Sequence, residues 1–255
     1  MSNLSQYEHL YGLVGYPLGH SFSQQYFNRK FESEHRNARY VNFEIPAVDD
    51  LRAIIAANPN LAGFNVTIPH KETVVALLDE LDPEAKAIGA VNVVKVVRLP
   101  DGEILLKGYN SDHIGFSNSI KPMLDPATHR KALILGTGGA SKAVIYALGR
   151  LGIECTLVSR SEKPGMKTYE QISPELLDEY KVIVNATPVG MYPHVDKCPP
   201  LPYTALTSQH VCYDLVYNPD ITLFMKKAAE AGAATKNGLE MLHGQAIAAW
   251  KIWNE

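Results

Sequence analysis

The chain has 255 residues, is 46% apolar and 20% charged, and carries a formal net charge of −3, the make-up of a globular fold rather than a disordered or fibrous one. No basic stripe invites a polyanion, so nucleic acid is not an expected partner. No run approaches the roughly 18 apolar residues that cross a bilayer, and the start "MSNLSQYEHLYGLVGYP" has no basic leader ahead of an apolar stretch, so a cytoplasmic protein without a membrane partner is expected.

In chain order, the first hundred residues alternate between strand-like and helix-like stretches: "YGLVGYP", then 24–35, "YVNFEIP", "VDDLRAIIAA", "LAGFNVTIP" and 70–81. That alternation predicts a βαβαβα unit with a mostly parallel sheet. Within "GFNVTIPHK", Phe64, Val66 and Ile68 fall on one face of a period-2 strand, and Gly63, Asn65 and Thr67 on the other. Pro69 suits the first turn of a helix, and Val74, Val75, Leu77, Leu78 and Leu81 have helical spacing. Lys71 is therefore expected near a helix N-terminus, where the macrodipole disfavours a cation. On this stretch alone a solvated surface lysine is an equally good reading.

"VNVVKVVRLPDGEILLKGYN" reads as a hairpin around "PDG". The segment 112–130 is expected to link this unit to a second one. There "KALILG", a helix over 139–150, "ECTLVSR", a short helix near 174–179, "KVIVNAT" and "VCYDLV" repeat the alternation. "LEMLHGQAIAAWKIW" carries a helical apolar face ending in Trp250 and Trp253. The expected organisation is one α/β unit over 1–111, a Rossmann-type unit over 112–236 and a final helix over 237–255, whose packing on either unit periodicity does not decide. Cys155, Cys198 and Cys212 form no CxxC pair and the nine histidines no HExxH, so no metal site is expected.

"KALILGTGGASKAVIYALGRLGIECTLVSR" is a strand, a glycine-rich turn, a helix and a second strand within the roughly 30 residues of a dinucleotide-binding unit. Gly136 permits the tight turn. Gly138 and Gly139 let backbone N–H groups approach a pyrophosphate, whose charge the helix N-terminus favours. The third fingerprint position is Ser141 rather than glycine, still small enough for helix-on-strand packing. The second strand ends in Ser159 and Arg160 where NAD-binding chains place a carboxylate. A guanidinium clamps a 2′-phosphate, which points to NADP. Glu162 lies in the same loop, past the strand end.

A nicotinamide enzyme acting on an alcohol needs a group to take the hydroxyl proton and others to position the substrate. Candidates at strand ends and turns are Ser21, Ser23, Asn65, Thr67, Lys71, Asn92 and Asp112, though taken singly each is more often a cap, a turn former or a surface group, Asp112 in particular a cap of the helix after it.

Taken together, "GLVGYPLGHSFS", "GFNVTIPHK", "IGAVN", "GYNSD", "GTGGAS", "NATPVGM", "YDLVYNP" and "NGLEMLHGQA" resemble, in order and through nearly the whole chain, the shikimate dehydrogenase family. The resemblance implies NADPH-dependent reduction of 3-dehydroshikimate to shikimate in aromatic amino-acid biosynthesis, by a monomer or homodimer. It implies that Lys71 and Asp112 form the catalytic pair and that Ser21 and Ser23 hold the substrate carboxylate. Asn65, Thr67, Asn92 and Gln245 would bind ring hydroxyls together with Lys71 and Asp112, and Tyr217 would lie beside the substrate. The C-terminal helix bearing Gln245 would return to the first, substrate-binding domain. The dinucleotide would lie on Gly136, Thr137, Gly138, Gly139, Ala140, Ser141 and Arg160, with Thr187, Leu215, Gly238 and Met241 at its nicotinamide end.

The chain departs from the family pattern in "HSFSQQYFN", where Gln24 and Phe27 replace commoner residues and the helix start is expected to shift slightly; Ser111 and Val93 stand where threonine is commoner. Three rival readings remain. One is a quinate/shikimate dehydrogenase with relaxed NAD or NADP use. Another is a nonenzymatic NADP-binding regulator, for which a retained lysine–aspartate pair has no purpose. The third is a folate-type dehydrogenase, which would not predict the paired serines.

Overall fold

In the computed structural model, residues 4–19 and 21–255 are described; His20 of the "GHSFS" motif lies outside them. The chain divides into two compact units, one formed by residues up to 111 together with 246–255, the other by 112–245.

The first unit contains β1 (His9–Gly15), α1 (Phe22–Ser33), β2 (Ala38–Glu44), α2 (Leu51–Ala57), β3 (Leu61–Val66), β4 (Glu80–Leu81), α3 (Pro83–Ile88), β5 (Val93–Arg98) and β6 (Ile104–Tyr109). Its six-stranded sheet has the order β2-β1-β3-β5-β6-β4. β1 is parallel to β2 and β3, and β4 to β6, whereas β5 runs antiparallel to both β3 and β6 as the expected hairpin. Strand alternation sends Leu10 and Val14 to one core with Leu51, Ile55, Phe64 and Val74, and Tyr11 to another with Phe27, Phe31, Tyr40 and Trp253. α1 starts where its sequence signals it: Ser21 is the N-cap and its Oγ accepts from Gln24 N at 3.2 Å. Phe27 and Phe31, four apart, then share the buried face.

Two expectations fail here. β3 ends at Val66, so Ile68 does not continue its apolar face; it turns outward and is 69% exposed. Residues 70–81 do not form a helix. A turn leads into a short 3-10 helix, Thr73–Leu77, and then into β4. The reason is a tertiary pairing: Asp79 N donates to Leu106 O at 3.0 Å, Leu106 N donates to Asp79 Oδ2 at 2.7 Å, and the chain is drawn into an edge strand beside β6. Propensity yields to that pairing, the more readily for the β-branched Thr73, Val74 and Val75. Lys71 therefore sits in a turn before five residues of 3-10 helix, too short for the macrodipole argument.

The second unit contains α4 (Asp112–Ile120), β7 (Lys131–Leu135), α5 (Gly139–Arg150), β8 (Glu154–Ser159), β9 (Lys167–Thr168), α6 (Pro174–Glu179), β10 (Val182–Asn185), β11 (Val211–Asp214), α7 (Leu223–Glu230) and β12 (Ala234–Lys236). Its sheet, order β12-β11-β10-β7-β8-β9, is parallel throughout. Apolar clusters cover both faces, which is why these strands read as continuous apolar runs. The segment expected to be a link is instead part of this core: Phe116 and Ile120 of α4 are 0% exposed. The last helix, α8 (Leu239–Asn254), begins in this unit, and its final turns belong to the first, where Trp253 Nε1 donates to Val94 O at 3.0 Å.

Candidate active site

In the first unit the polar residues singled out above lie at the C-terminal ends of β1 and β3 and the start of β5. Asn65, the next-to-last residue of β3, is 4% exposed. It accepts at Oδ1 from the Tyr40 phenol at 2.8 Å and donates through Nδ2 to the carbonyl of Asn92 at 3.2 Å. Asn92 is 3% exposed; its Oδ1 accepts from Ser111 N at 2.7 Å and its Nδ2 donates to Ser111 Oγ at 3.0 Å. Ser23, in the first turn of α1, is 8% exposed, and its hydroxyl lies near enough to the Tyr40 phenol to lower its pKa. Burial outweighs that influence and holds the phenol well above its ordinary pKa, so Tyr40 keeps its proton and stays a donor.

Ser21 caps α1 with the oxygen that the expectation assigns to a carboxylate. Thr67 follows β3, its N–H bonded to Val14 O at 2.8 Å, and the space a side chain on Gly15 would need is filled by the Thr67 methyl, 2.5 Å from an ideal Cβ. The half-buried Lys71 is fixed through its main chain, whose carbonyl accepts from Val91 N at 2.8 Å, next to Asn92. The structure thus joins Tyr40, Asn65 and Asn92 in one buried hydrogen-bonded chain, with the Ser23 hydroxyl near the phenol and the Lys71 carbonyl bonded to the residue before Asn92.

In the second unit Asp112 opens α4 and is 5% exposed. One turn on, Gly115 meets α8: a Cβ there would lie 2.8 Å from Gln245 N, and one on Gly244 would lie 3.1 Å from the Gly115 Cα. This glycine–glycine crossing sets Gln245, 8% exposed, against the first turns of α4.

The glycine turn follows β7, where the strand order reverses between β8 on one side and β10 on the other, the crevice in which open α/β sheets bind ligands. Gly136 has φ +109°, in the region that favours glycine, and a Cβ on it would meet the Thr187 methyl at 2.9 Å. Gly138 has open space around it and caps α5 with no side-chain bond, leaving the first-turn N–H groups of Gly139 and Ala140 for an incoming anion. Ser141 is 1% exposed and ties the turn through Oγ to Gly138 O at 2.6 Å, while Thr137 is half-buried. These residues fit a dinucleotide pyrophosphate. Arg160 is exposed immediately past β8, beside Ser159, with no carboxylate at the strand end.

Leu215 follows β11, its N–H bonded to Asn185 O at 2.9 Å, and Gly238 abuts its carbonyl so closely that no side chain fits. Thr187, Leu215 and Gly238 therefore converge past the ends of β10, β11 and β12. Tyr217 is 37% exposed, and burial of the rest of its ring raises its pKa. Met241, 7% exposed, belongs to the apolar cluster of Phe116 and Tyr213.

Tyr40, Asn185 and Asp214 were not singled out from sequence. Asn185 and Asp214 end apolar strands inside "NATPVGM" and "YDLVYNP", and a polar residue closing a buried strand is the available signal. Tyr40 reads from sequence as an ordinary strand aromatic.

The sequence model of the shikimate dehydrogenase substrate binding domain matches residues 13–94. A relative named shikimate dehydrogenase (NADP(+)), from Carboxydothermus hydrogenoformans, is 39% identical over 96% of this chain and 91% of its own length. The crystal structure of shikimate dehydrogenase from Aquifex aeolicus, 37% identical, superposes with a TM-score of 0.83 over 100% of this chain and 94% of that one. That of shikimate 5-dehydrogenase from Thermus thermophilus in complex with NADP(H) and shikimate, 30% identical, does so at 0.82 over 96% and 93%. With identity of this order sustained over almost the whole length, and with the doubly wound unit and its glycine turn in place, the chain belongs to the shikimate dehydrogenase family.

Proposed function

We propose that the chain catalyses the reversible, NADPH-dependent reduction of 3-dehydroshikimate to shikimate, an oxidoreduction at a ring CH–OH group in aromatic amino-acid biosynthesis, in the cytoplasm and as a monomer or homodimer. The observation that carries this reading is the buried chain Tyr40–Asn65–Asn92, with the Ser23 hydroxyl near its phenol and the Lys71 carbonyl held by Val91. Two carboxamides and two hydroxyls in a buried setting suit a small polyhydroxylated acid, because they offer both donors and acceptors at fixed positions.

In this reading Ser21 and Ser23 bind the substrate carboxylate. Asn65, Thr67, Asn92 and Gln245 bind ring hydroxyls, and Tyr217 packs beside the ring. Lys71 passes the proton to the oxygen of the reacting carbon during reduction and takes it back during oxidation, while Asp112 orients the amine. The dinucleotide supplies the hydride when bound. Gly136 to Ser141 hold its pyrophosphate, Arg160 its 2′-phosphate, and Thr187, Leu215, Gly238 and Met241 its nicotinamide end.

The test is purified protein with shikimate and NADP, following the absorbance of the reduced nicotinamide. Reduction of NADP, faster than of NAD, supports the reading. No signal with shikimate or quinate and either dinucleotide overturns it.

A further inference from the structure

We infer that Tyr40 is a positioning residue for the substrate, holding the Asn65 carboxamide in the orientation in which it faces the ligand. The inference rests on the proposed reading of the first unit as the substrate site.

Tyr40 has no freedom of its own. Its ring is 0% exposed and stacks on Phe27 with centroids 4.9 Å apart and planes 14° from parallel. Its main chain is clamped on both sides by one side chain: Tyr40 N donates to Asn28 Oδ1 and Asn28 Nδ2 donates to Tyr40 O, both at 2.9 Å. The phenol oxygen is thus delivered to a fixed point, where it bonds the Asn65 carboxamide oxygen at 2.8 Å.

The direction of these bonds decides what Asn65 can offer. Oδ1 is taken by the phenol O–H and one amide hydrogen by the Asn92 carbonyl. A flipped carboxamide would set its oxygen against that carbonyl, acceptor to acceptor, so the Asn92 carbonyl decides which end is which and the phenol pins the oxygen there. The amide is therefore locked with its second N–H left to give, and Asn65 meets a ligand as a donor, matched to a hydroxyl or carbonyl oxygen. Without the phenol oxygen the lock depends on the single bond to Asn92.

Tyr40→Phe removes that one oxygen and keeps the ring, its stacking and the Asn28 clamp. In steady-state assays with shikimate and NADP, the KM for shikimate is expected to rise about tenfold, the loss of one well-made hydrogen bond, with kcat within about twofold of wild type. NADPH affinity, titrated by fluorescence without turnover, should be unchanged. In an Asn65→Ala background the same substitution should change the KM for shikimate by less than about twofold, because its effect runs through Asn65. A shikimate KM for Tyr40→Phe within twofold of wild type overturns the inference. So does an equal loss of NADPH affinity, which marks a general loosening of the fold, or a full-sized effect in the Asn65→Ala background. Wild-type protein inactive on shikimate would instead overturn the functional reading itself.

Discussion

The Asn185 amide donates to Asp214 Oδ1 at 2.9 Å, joining two residues paired in register at the ends of β10 and β11, both 0% exposed. Each residue also holds the loop that follows it. Asn185 Oδ1 accepts from Thr187 N at 3.1 Å and Thr187 Oγ1 at 2.6 Å. Asp214 accepts from Val216 N at 3.0 Å and, at its other oxygen, from Thr222 Oγ1 at 2.6 Å. One carboxamide–carboxylate contact therefore sets the positions of Thr187 and Leu215 together.

Holding that carboxylate has a pH signature. Burial pushes the Asp214 carboxyl up to about 6, although bonds from Thr222, Val216 and Asn185 pull it down. An unfolded aspartate titrates near 3.9. The folded state thus binds the proton more tightly, and this group's contribution to stability is present below about pH 4 and lost as pH rises through about 6. The difference amounts to roughly 3 kcal/mol between those limits. Asp214→Asn, which keeps the shape and stays neutral, should flatten the fall in stability between pH 4 and 6 in urea denaturation at a series of pH values. An unchanged slope would mean that Asp214 is not the group that titrates.

Replacement of Lys71 probes the proposed chemistry directly. If this amine moves the proton, Lys71→Ala should lower kcat by about 10²–10⁴-fold while the KM for shikimate rises far less. Single-turnover measurements with saturating NADP would place the loss in the chemical step. Comparable losses in binding and turnover would assign Lys71 to positioning alone.

At the end of β8, Arg160 stands exposed where an acidic residue would repel a 2′-phosphate. Arg160→Gln should raise the KM for NADP by about tenfold or more and leave the KM for NAD within about twofold, since only the phosphorylated dinucleotide loses a charge-assisted contact. Equal changes with both dinucleotides would remove Arg160 from the proposed 2′-phosphate contact.

What the sequence disclosed follows from how local each cause is. α5 runs Gly139–Arg150, the expected bounds, because a glycine turn and an amphipathic run specify it without help from elsewhere. The β5–β6 hairpin is likewise written in "PDG" and its flanks. The stretch 70–81 was illegible because Asp79 pairs with Leu106, 27 residues away, and that bond, not the local apolar spacing, sets its conformation. In the candidate site the glycine turn could be read, but its contact with Thr187 depends on strand order. The partners of Tyr40 were hidden for the same reason: Asn65 lies 25 residues on, in a strand that is not even its neighbour in the sheet.

Gly63 shows how tightly the last turns of α8 close the first unit. A Cβ there would run into the Trp253 indole and come within 2.9 Å of Val94 O, the carbonyl that the indole N–H itself bonds. Neither obstacle yields easily. The carbonyl belongs to β5, paired with β3 in register, and the indole is 6% exposed among Tyr11, Phe27 and Tyr40. Gly63→Ala should therefore destabilise the protein by about 1–3 kcal/mol, the usual cost of overpacking a core. If the indole is the obstacle, Trp253→Phe in the same chain should recover part of that loss, because the smaller ring vacates the contested space even as its own hydrogen bond disappears. Chemical denaturation of the single and double variants measures both, and strictly additive losses would show that the β5 carbonyl, not the ring, excludes a side chain at position 63.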